Sequence, residues 1–321
     1  IMMSGTLYPT EMYADILGAD KEKTMLRTYE SPFPRENRLI IVTDGITTRY
    51  VERSEEMYEK IAEKICSIVS VVEGGTAVFF PSYSLLRSIT DYFSPEIMAK
   101  TLIEERNMDK TEKNRLYDEL KENGGILCGV QAGSLSEGMD YEGNILKAVI
   151  IVGLPLSPPT LEVKNVESYY TKKFGRNKGK LYGYVYPAIS KVLQAAGRGI
   201  RSENDVGVII LMDYRFKYPV YRKCLPPDYE LKITSKPEVL CKRFFEEIKR
   251  KKKNFGGIKT LGDSNKPTEI AFAIFELLKE LGFPPGRTIL ANILIGSRSK
   301  QILNQNLQES RYHGILKNYT K

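Results

Sequence analysis

The sequence is poor in the residues that build metal sites and disulfides. Its 321 residues include no tryptophan, a single histidine, His313, and four cysteines, Cys66, Cys128, Cys224 and Cys241. The cysteines are widely spaced and form no CxxC pair, which argues against a zinc ribbon or a disulfide framework. We therefore predict no metal site and expect a reducing, intracellular compartment. No acid or nucleophile signature lies near His313, so we interpret it as structural or as a minor contact.

Long hydrophobic stretches are also missing. The longest predominantly apolar run, Ala148–Leu156, has nine residues, about half of what a membrane-spanning helix needs. The N-terminal sequence IMMSGTLYPT lacks the basic region that opens a signal peptide. We expect no membrane association and a location in the cytoplasm, on a nucleoid or in a nucleus.

Positive charge is concentrated towards the C-terminal end. The segment from Lys242 to Lys321 carries 16 basic and 7 acidic residues, whereas the first 241 residues carry 32 and 33. An excess confined to one end is typical of a segment that binds a polyanion, most often nucleic acid. On composition alone, a solvated basic face is an equally good interpretation.

Up to Phe255 the sequence alternates short apolar runs with helical patterns. Five runs rich in valine and isoleucine predict strands buried on both faces, and these are Leu39–Thr43, Thr76–Pro81, Ile126–Val130, Ala148–Leu154 and Val206–Met212. Apolar spacings of three and four predict the intervening helices Glu55–Val72, Leu85–Tyr92, Pro95–Arg106, Lys113–Lys121 and Ser190–Arg201. This alternation predicts an α/β fold with a doubly wound parallel sheet.

Two regions depart from that alternation. Lys164–Pro187 is polar, aromatic and basic, and its length predicts a partly helical excursion or a functional loop. The charge run Arg250–Lys253 followed by two glycines predicts a domain boundary at residue 257. Beyond it, three amphipathic stretches predict a small helical module of the helix-turn-helix type, and they are Thr268–Leu281, Thr288–Leu294 and Lys300–Leu307.

The sharpest local pattern is Gln194-Ala-Ala-Gly-Arg198-Gly-Ile-Arg201, which precedes a predicted strand and then Asp213. As part of the predicted helix, Arg198 and Arg201 would project from one face. An arginine fork donates bidentate hydrogen bonds and keeps its charge, which suits a γ-phosphoryl group during transfer. For an isolated RxxR pattern, a solvated basic helix face would be the simpler interpretation.

Three other segments accompany this pattern. Gly133–Tyr141 contains Ser-Glu-Gly-Met-Asp-Tyr, Gly74–Tyr83 is a strand that ends in Phe-Phe-Pro-Ser-Tyr, and Met3–Leu7 reads Met-Ser-Gly-Thr-Leu. With Gln194–Arg201 they resemble motifs V, IV, III and VI of superfamily 2 helicases, with motif V in its XPD/DinG form. The chain thus resembles the second RecA-like domain of XPD/DinG helicases over residues 21–257, preceded at 1–20 by the end of the first RecA-like domain and a linker that contain motif III. Tyr141 stands where the family usually has phenylalanine.

The resemblance implies a nucleotide site. Arg201 would be the arginine finger that reaches the γ-phosphate across an interdomain cleft, with Arg198 and Gln194 beside it as catalytic residues. Further contacts to the nucleotide are implied for Glu137, Gly138, Asp140, Gly5 and Thr6.

The resemblance also implies a nucleic-acid site. Ser82, Tyr83 and Ser134 would lie where strand ends meet single-stranded DNA, on a phosphate or on a stacked base. For Tyr83 a packed aromatic is the alternative. The run Lys251, Lys252 and Lys253 would add contacts to DNA.

Several parts of a complete motor are not found. No GxxxxGK[ST], DEAH or DEAD motif occurs, so we expect the P-loop lysine and the acid that holds Mg²⁺ in a first RecA-like domain upstream of Ile1. ATP and Mg²⁺ would be shared with that domain. The family's iron–sulfur cluster also belongs to that half, and we assign no cluster to this chain. On its own the chain should bind without hydrolysing ATP well.

The tail has a resemblance of its own, to the RQC winged-helix domain of RecQ helicases. It is based on Ile289–Leu303, which contains Gly-Ser-Arg-Ser-Lys, and on Arg311–Ile315. Residues 258–321 would then be an incomplete winged-helix domain without the zinc cysteines of RecQ, and its β-wing would follow Lys321. Exposed amides at a helix N-terminus favour anions, so phosphate contacts are implied for Ser297, Arg298, Ser299 and Lys300.

These resemblances predict the C-terminal motor half of an ATP-dependent DNA helicase. It would translocate on single-stranded DNA, 5′ to 3′ if the family polarity holds, and unwind forked or duplex DNA in repair. The alternative is a non-catalytic module in which a RecA-like scaffold and a winged helix hold nucleic acid. Arg198 and Arg201, with Glu137 and Asp140, favour the motor, because a scaffold has no need of a γ-phosphate finger.

Overall fold

The chain folds into two compact units, Ile1–Glu246 and Glu247–Lys321, in a computed structural model. The structure describes residues 1–256, 267–281 and 285–317, and it describes no side chains for 252–256, 267–269 and 301. The predicted boundary at residue 257 lies outside the described residues.

A seven-stranded parallel sheet forms the centre of the first unit. Its strands are β1 (Arg38–Thr43), β2 (Gly75–Phe80), β3 (Thr101–Ile103), β4 (Ile126–Val130), β5 (Leu146–Val152), β6 (Gly207–Met212) and β7 (Leu231–Thr234). They are arranged in the order β3-β4-β2-β5-β6-β1-β7, and each neighbouring pair is parallel. The predicted doubly wound α/β sheet is confirmed.

Helices flank the sheet and follow the chain between the strands. They are α1 (Thr10–Leu17), α2 (Glu55–Val69), α3 (Tyr83–Thr90), α4 (Pro95–Met98), α5 (Lys110–Asn123), α6 (Ser134–Glu137), α7 (Leu161–Phe174), α8 (Arg176–Lys180), α9 (Tyr186–Ala196), α10 (Pro219–Arg222) and α11 (Pro237–Gly256). A π-helical turn, Leu181–Val185, joins α8 to α9, so the predicted excursion after Lys164 is indeed largely helical.

The sheet is buried on both faces, as its composition predicts. Along β1, Ile40 and Val42 pack into one hydrophobic cluster, whereas Ile41 packs into the other. Helices α5 and α9 cover the first face, while α2, α3 and α11 cover the second. Alternate burial of this kind requires apolar side chains at successive positions, which is why these strands are nearly continuous apolar runs.

Two helix predictions need correction. Pro95–Arg106 is helical only in α4, after which the chain forms β3, whose residues Thr101–Ile103 pair with Ile126–Cys128. The predicted helix Ser190–Arg201 begins earlier and ends at Ala196 as α9. Its C-cap is Gly197, and beyond the helix Gly199 approaches β5 so closely that a Cβ at this position would lie 2.9 Å from Val149 Cγ2.

The second unit contains three further helices, α12 (Pro267–Leu281), α13 (Arg287–Leu294) and α14 (Lys300–Asn304), near the three predicted ones. Leu277, Ile293 and Ile302 are fully buried in its core. The Gly314 amide donates to the Ile293 carbonyl at 2.9 Å, which ties the end of the described chain to α13. Within the described residues, no helix has the length and apolar character to span a membrane.

Candidate nucleotide and nucleic-acid sites

Arg198 is bound to the main chain of the motif V segment. Its Nε donates to the Ser136 carbonyl at 2.6 Å, Nη1 to the Met139 carbonyl at 2.7 Å and Nη2 to the Glu137 carbonyl at 2.6 Å. Burial, together with the neighbouring charge of Arg201, lowers the pKa of Arg198. All three guanidinium nitrogens are engaged, so this side chain holds the segment Ser136–Met139 in place.

Arg201 has different surroundings, because the two arginines follow the end of α9 and do not share a helix face. Its Nη1 lies 2.8 Å from Asp140 Oδ1, and the two side chains are 35% and 58% exposed. The Arg201 amide donates to Asp205 Oδ2 at 2.8 Å. The backbone is therefore anchored while the guanidinium stays accessible to a ligand.

The other residues that were predicted to contact the nucleotide differ in their location and exposure. Gln194 is half-buried in α9, while Glu137 and Gly138 are exposed at the end of α6. Gly5 and Thr6 lie in a turn in which the Thr6 amide donates to Ser4 Oγ at 3.2 Å. The structure brings Asp140 and Arg201 together, and the roles of the remaining residues stay predictions.

Ser134 is already bound to a buried carboxylate. Its amide and its hydroxyl donate to Glu104 Oε1 at 3.1 and 2.9 Å, and the Val130 amide donates to Glu104 Oε2 at 2.9 Å. Glu104 is only 2% exposed. While these bonds last, Ser134 has no hydrogen left to give a phosphate, so its predicted DNA contact would require a rearrangement. Glu104 escaped the sequence interpretation because it fell inside the incorrectly predicted helix Pro95–Arg106.

A second buried carboxylate follows β6. Asp213 is fully buried and accepts hydrogen bonds from Thr47 Oγ1, the Thr48 amide and Arg215. The Arg215 guanidinium donates to it through Nε at 2.8 Å and Nη2 at 2.7 Å. The hydrogen bonds from Thr47 and Thr48 join the chain after β6 to the chain after β1. In the sequence, Asp213 could be noticed as an acidic residue directly after a predicted strand.

Ser82 and Lys251 occupy exposed positions. The Ser82 hydroxyl caps α3 by accepting from the Leu85 amide at 3.3 Å. Lys251 is exposed on α11, whereas the side chains of Lys252 and Lys253 lie outside the described residues.

In the second unit, Arg298 and Lys300 are exposed and Ser299 precedes the first residue of α14. The Ser297 hydroxyl accepts from the Ser299 amide at 3.3 Å, so it supports the turn before this helix. His313 Nε2 lies 3.1 Å from the Ser297 carbonyl oxygen, a contact in keeping with a structural role. Among the described residues, no cluster of three or more His, Cys, Asp or Glu is arranged to hold a metal ion.

Comparison with known sequences agrees with these motifs. The helicase C-terminal domain family matches residues 65–230, just over half of the chain, and the RQC domain family matches 266–321. A probable ATP-dependent helicase of Methanocaldococcus jannaschii is 31% identical over 67% of this chain and 34% of its own length. The ATP-dependent DNA helicase XPD of Sulfolobus acidocaldarius is 28% identical over 70% and 40%. A regulator of telomere elongation helicase 1 homolog of Oryza sativa is 27% identical over 85% and 30%. The chain thus spans 30 to 40% of the length of these relatives.

Comparison with solved structures gives the same result. An XPD helicase structure superposes with a TM-score of 0.56 at 25% identity, over 72% of this chain and 42% of that one. An apo XPD structure gives 0.55 at 25% identity, over 72% and 47%. The predicted RecA-like fold and both predicted resemblances are confirmed. The chain belongs to the helicase C-terminal domain family, with relatives among XPD-type helicases, and its C-terminal segment matches the RQC domain.

Proposed function

We propose that this chain supplies the second motor domain of an ATP-dependent DNA helicase. The observation that carries the proposal is the pair of motif VI arginines, of which one braces motif V and the other presents an anchored, accessible guanidinium. Arg201 is suited to a polyphosphate because its ion pair with Asp140 is exposed, and exposed ion pairs cost little to exchange. ATP would bind between this domain and a P-loop domain, which is the partner that the proposal requires.

In this proposal Arg201 and Arg198 have different functions. Bound ATP supplies the γ-phosphoryl group whose transfer to water drives the motor. Arg201 leaves Asp140 and neutralises the negative charge on that group, a role that arginine fingers fill in phosphoryl transfer. Arg198 keeps Ser136–Met139 fixed, so that Asp140 stays within reach of Arg201. The described residues form no metal cluster of their own, and we assign no Mg²⁺ ligand to them.

The same segment links nucleotide to nucleic acid. Ser134 and Asp140 belong to one connection between β4 and β5, so a change at Arg201 is transmitted along a short path to the predicted strand contact. The DNA substrate would be single-stranded, forked or duplex, with the RQC-like segment adding affinity. A role in repair, and a location on a nucleoid or in a nucleus, belong to this proposal.

ATP hydrolysis tests the proposal. The chain alone should bind a single-stranded oligonucleotide and show no DNA-stimulated hydrolysis, since its sequence has no GxxxxGK[ST] loop. A longer protein, in which the P-loop domain of an XPD-type relative precedes Ile1, should hydrolyse ATP when DNA is added.

Two results would contradict the proposal. DNA-stimulated turnover by the chain alone would place a complete nucleotide site within these residues. DNA binding in both proteins with no turnover in either would favour a non-catalytic binding module.

A further inference from the structure

A cluster of four residues lies at the ends of three neighbouring strands. Glu104 and Arg106 follow β3, and Tyr83 follows β2, while β4 lies between these strands and leads to Ser134. The carboxyl ends of parallel strands meet at one edge of a sheet, where ligands bind in open α/β folds. None of the helicase motifs includes Glu104 or Arg106.

Glu104 sets the shape of this edge. Its two carboxylate oxygens accept from the Val130 amide and from Ser134, as described above. Cβ atoms placed at Gly129 and Gly133 would lie 2.7 and 2.9 Å from Glu104 Oε2, so the loop is fitted around the carboxylate. Burial and this carboxylate raise the pKa of Tyr83, which keeps its hydroxyl protonated beside Glu104. Glu104 is therefore a positioning residue for both Ser134 and Tyr83.

Arg106 lies over the Tyr83 ring. Its guanidinium carbon is 5.2 Å from the ring centroid, and the side chain is exposed. Among the side chains that the structure describes, no carboxylate lies within ion-pair distance of Arg106. A guanidinium stacked on an aromatic ring keeps its N–H donors at its edge, where they can bind a phosphate. The ring face that Arg106 covers is closed to a base.

We propose that Arg106, held on the Tyr83 ring, binds a backbone phosphate of single-stranded nucleic acid that crosses the carboxyl ends of β2 and β4. This inference rests on the proposed function, because it assumes that a strand crosses this edge. It gives Tyr83 the role of a platform for the guanidinium, in place of a base-stacking surface. Recognition would be independent of base sequence, since a phosphate carries no sequence information.

Salt-dependent binding of a fluorescein-labelled oligo(dT) to the full 321-residue chain tests the inference. The variant Arg106→Ala should lose about 0.7 from the slope of log affinity against log salt, which is about a fivefold loss at 0.1 M salt. Arg106→Lys should keep the slope, because it keeps the charge. Arg115→Ala removes the same charge from an exposed position on α5 and should change neither quantity.

A second variant separates the two roles of Tyr83. Tyr83→Leu should weaken oligo(dT) binding on its own. It should cause no further loss in an Arg106→Ala background, because the Tyr83 ring then has no guanidinium to position. An equal additional loss in that background, or unchanged binding by Arg106→Ala, would overturn the inference and leave the helicase assignment intact. Failure of the unmodified chain to bind oligo(dT) would overturn both.

Discussion

Arg198 and Arg201 are three residues apart and carry the same charge, yet their environments assign them to different tasks. The Arg198 guanidinium binds three main-chain carbonyl oxygens, whereas the Arg201 guanidinium binds one exposed carboxylate. Two of these three hydrogen bonds are partly buried, and a carbonyl oxygen that loses a charged donor away from water is costly to leave unpaired. An exposed ion pair, by contrast, contributes little to stability. Stability and turnover should therefore respond to different residues.

Replacement of each arginine by alanine tests this difference. Arg198→Ala should lower the free energy of unfolding of the first unit by about 1 to 3 kcal/mol, because three carbonyl oxygens, two of them in partly buried bonds, lose a charged donor. Arg201→Ala should change it by less than about 1 kcal/mol. In the motor with a P-loop domain, Arg201→Ala should reduce ATP turnover by about 10³ and spare single-strand affinity.

Urea denaturation measures the first effect, and ATP hydrolysis with oligonucleotide binding measures the second. If Arg201→Ala lowered DNA affinity in parallel with turnover, the assignment of Arg201 to the nucleotide would be wrong. If Arg198→Ala unfolded at the same urea concentration as the unmodified chain, its bracing role would be wrong.

At the scale of elements, α1 is attached to the helical excursion by one polar cluster. Lys178 of α8 donates to Glu11 at 2.7 Å and to Asp15 at 2.8 Å, both on α1, and the Tyr182 hydroxyl donates to Asp15 at 2.8 Å. The Asp15 side chain is 10% exposed. The hydrogen bond from Lys178 lowers the pKa of Asp15, while burial raises the pKa of Tyr182 to about 12. Motif III immediately precedes α1, so this cluster holds the connection between motif III and the rest of the domain.

The lowered pKa of Asp15 predicts a loss of stability in acid. A carboxyl whose pKa is lower in the folded chain stabilises it above its unfolded pKa, about 4, and loses that contribution as pH falls through the folded value. Asp15→Asn should therefore lower the thermal midpoint at pH 6. The difference in thermal midpoint between this variant and the unmodified chain should become smaller towards pH 3. Asp20→Asn is the matched control, because the Asp20 side chain is 53% exposed and its ion pair is with Lys23, which is also exposed. A difference in thermal midpoint that stays constant with pH would show that Asp15 is not ionised in this cluster.

The strands that could be predicted from the sequence are those that are buried on both faces of the sheet. Strands β1, β2, β4, β5 and β6 are central, and each requires an apolar side chain at nearly every position. The edge strand β3 is three half-buried residues long, and β7 has two exposed residues between two half-buried ones. Neither strand therefore has a sequence pattern that distinguishes it from a loop or a helix. Helix α9 ends at Ala196, and the chain just beyond it approaches Val149 of β5 at Gly199, a contact between distant segments that local sequence patterns do not reveal.

The candidate sites could be predicted only for residues that belong to a motif. The partners of those residues are carbonyl oxygens in the case of Arg198 and a carboxylate from a different strand in the case of Ser134. Every residue has a main-chain carbonyl, so the residue types do not reveal which carbonyl accepts a hydrogen bond. The position of Glu104 depends on the pairing of β3 with β4. The sequence therefore indicated candidate residues, while the structure showed which of them already have hydrogen-bond or ion-pair partners.

For the whole molecule, the distribution of charge separates scaffold from tail. The first 241 residues are nearly neutral, and the excess of positive charge follows Lys242. Lys251 is exposed on α11, in a run of lysines that attracts polyanions more strongly at low salt.

Substitution of Lys251, Lys252 and Lys253 by glutamine should weaken single-strand binding and reduce its salt slope by about 0.7 for each lost phosphate contact. The control is a triple substitution of Lys21, Lys23 and Lys60, which are exposed lysines of the first unit. Fluorescence anisotropy over a range of salt concentrations measures both. An unchanged slope would mean that the run is a solvated face.

The buried pair of Asp213 and Arg215 has a consequence for genetic screens. Removal of one partner from such a pair costs about 3 to 5 kcal/mol, enough to deplete the folded protein in a cell. A survey that scored growth alone would group Arg215 with Arg201 as arginines essential to the motor. Measurement of protein abundance beside growth would separate them, because loss of Arg215 would remove the protein, whereas loss of Arg201 would leave it present and inactive.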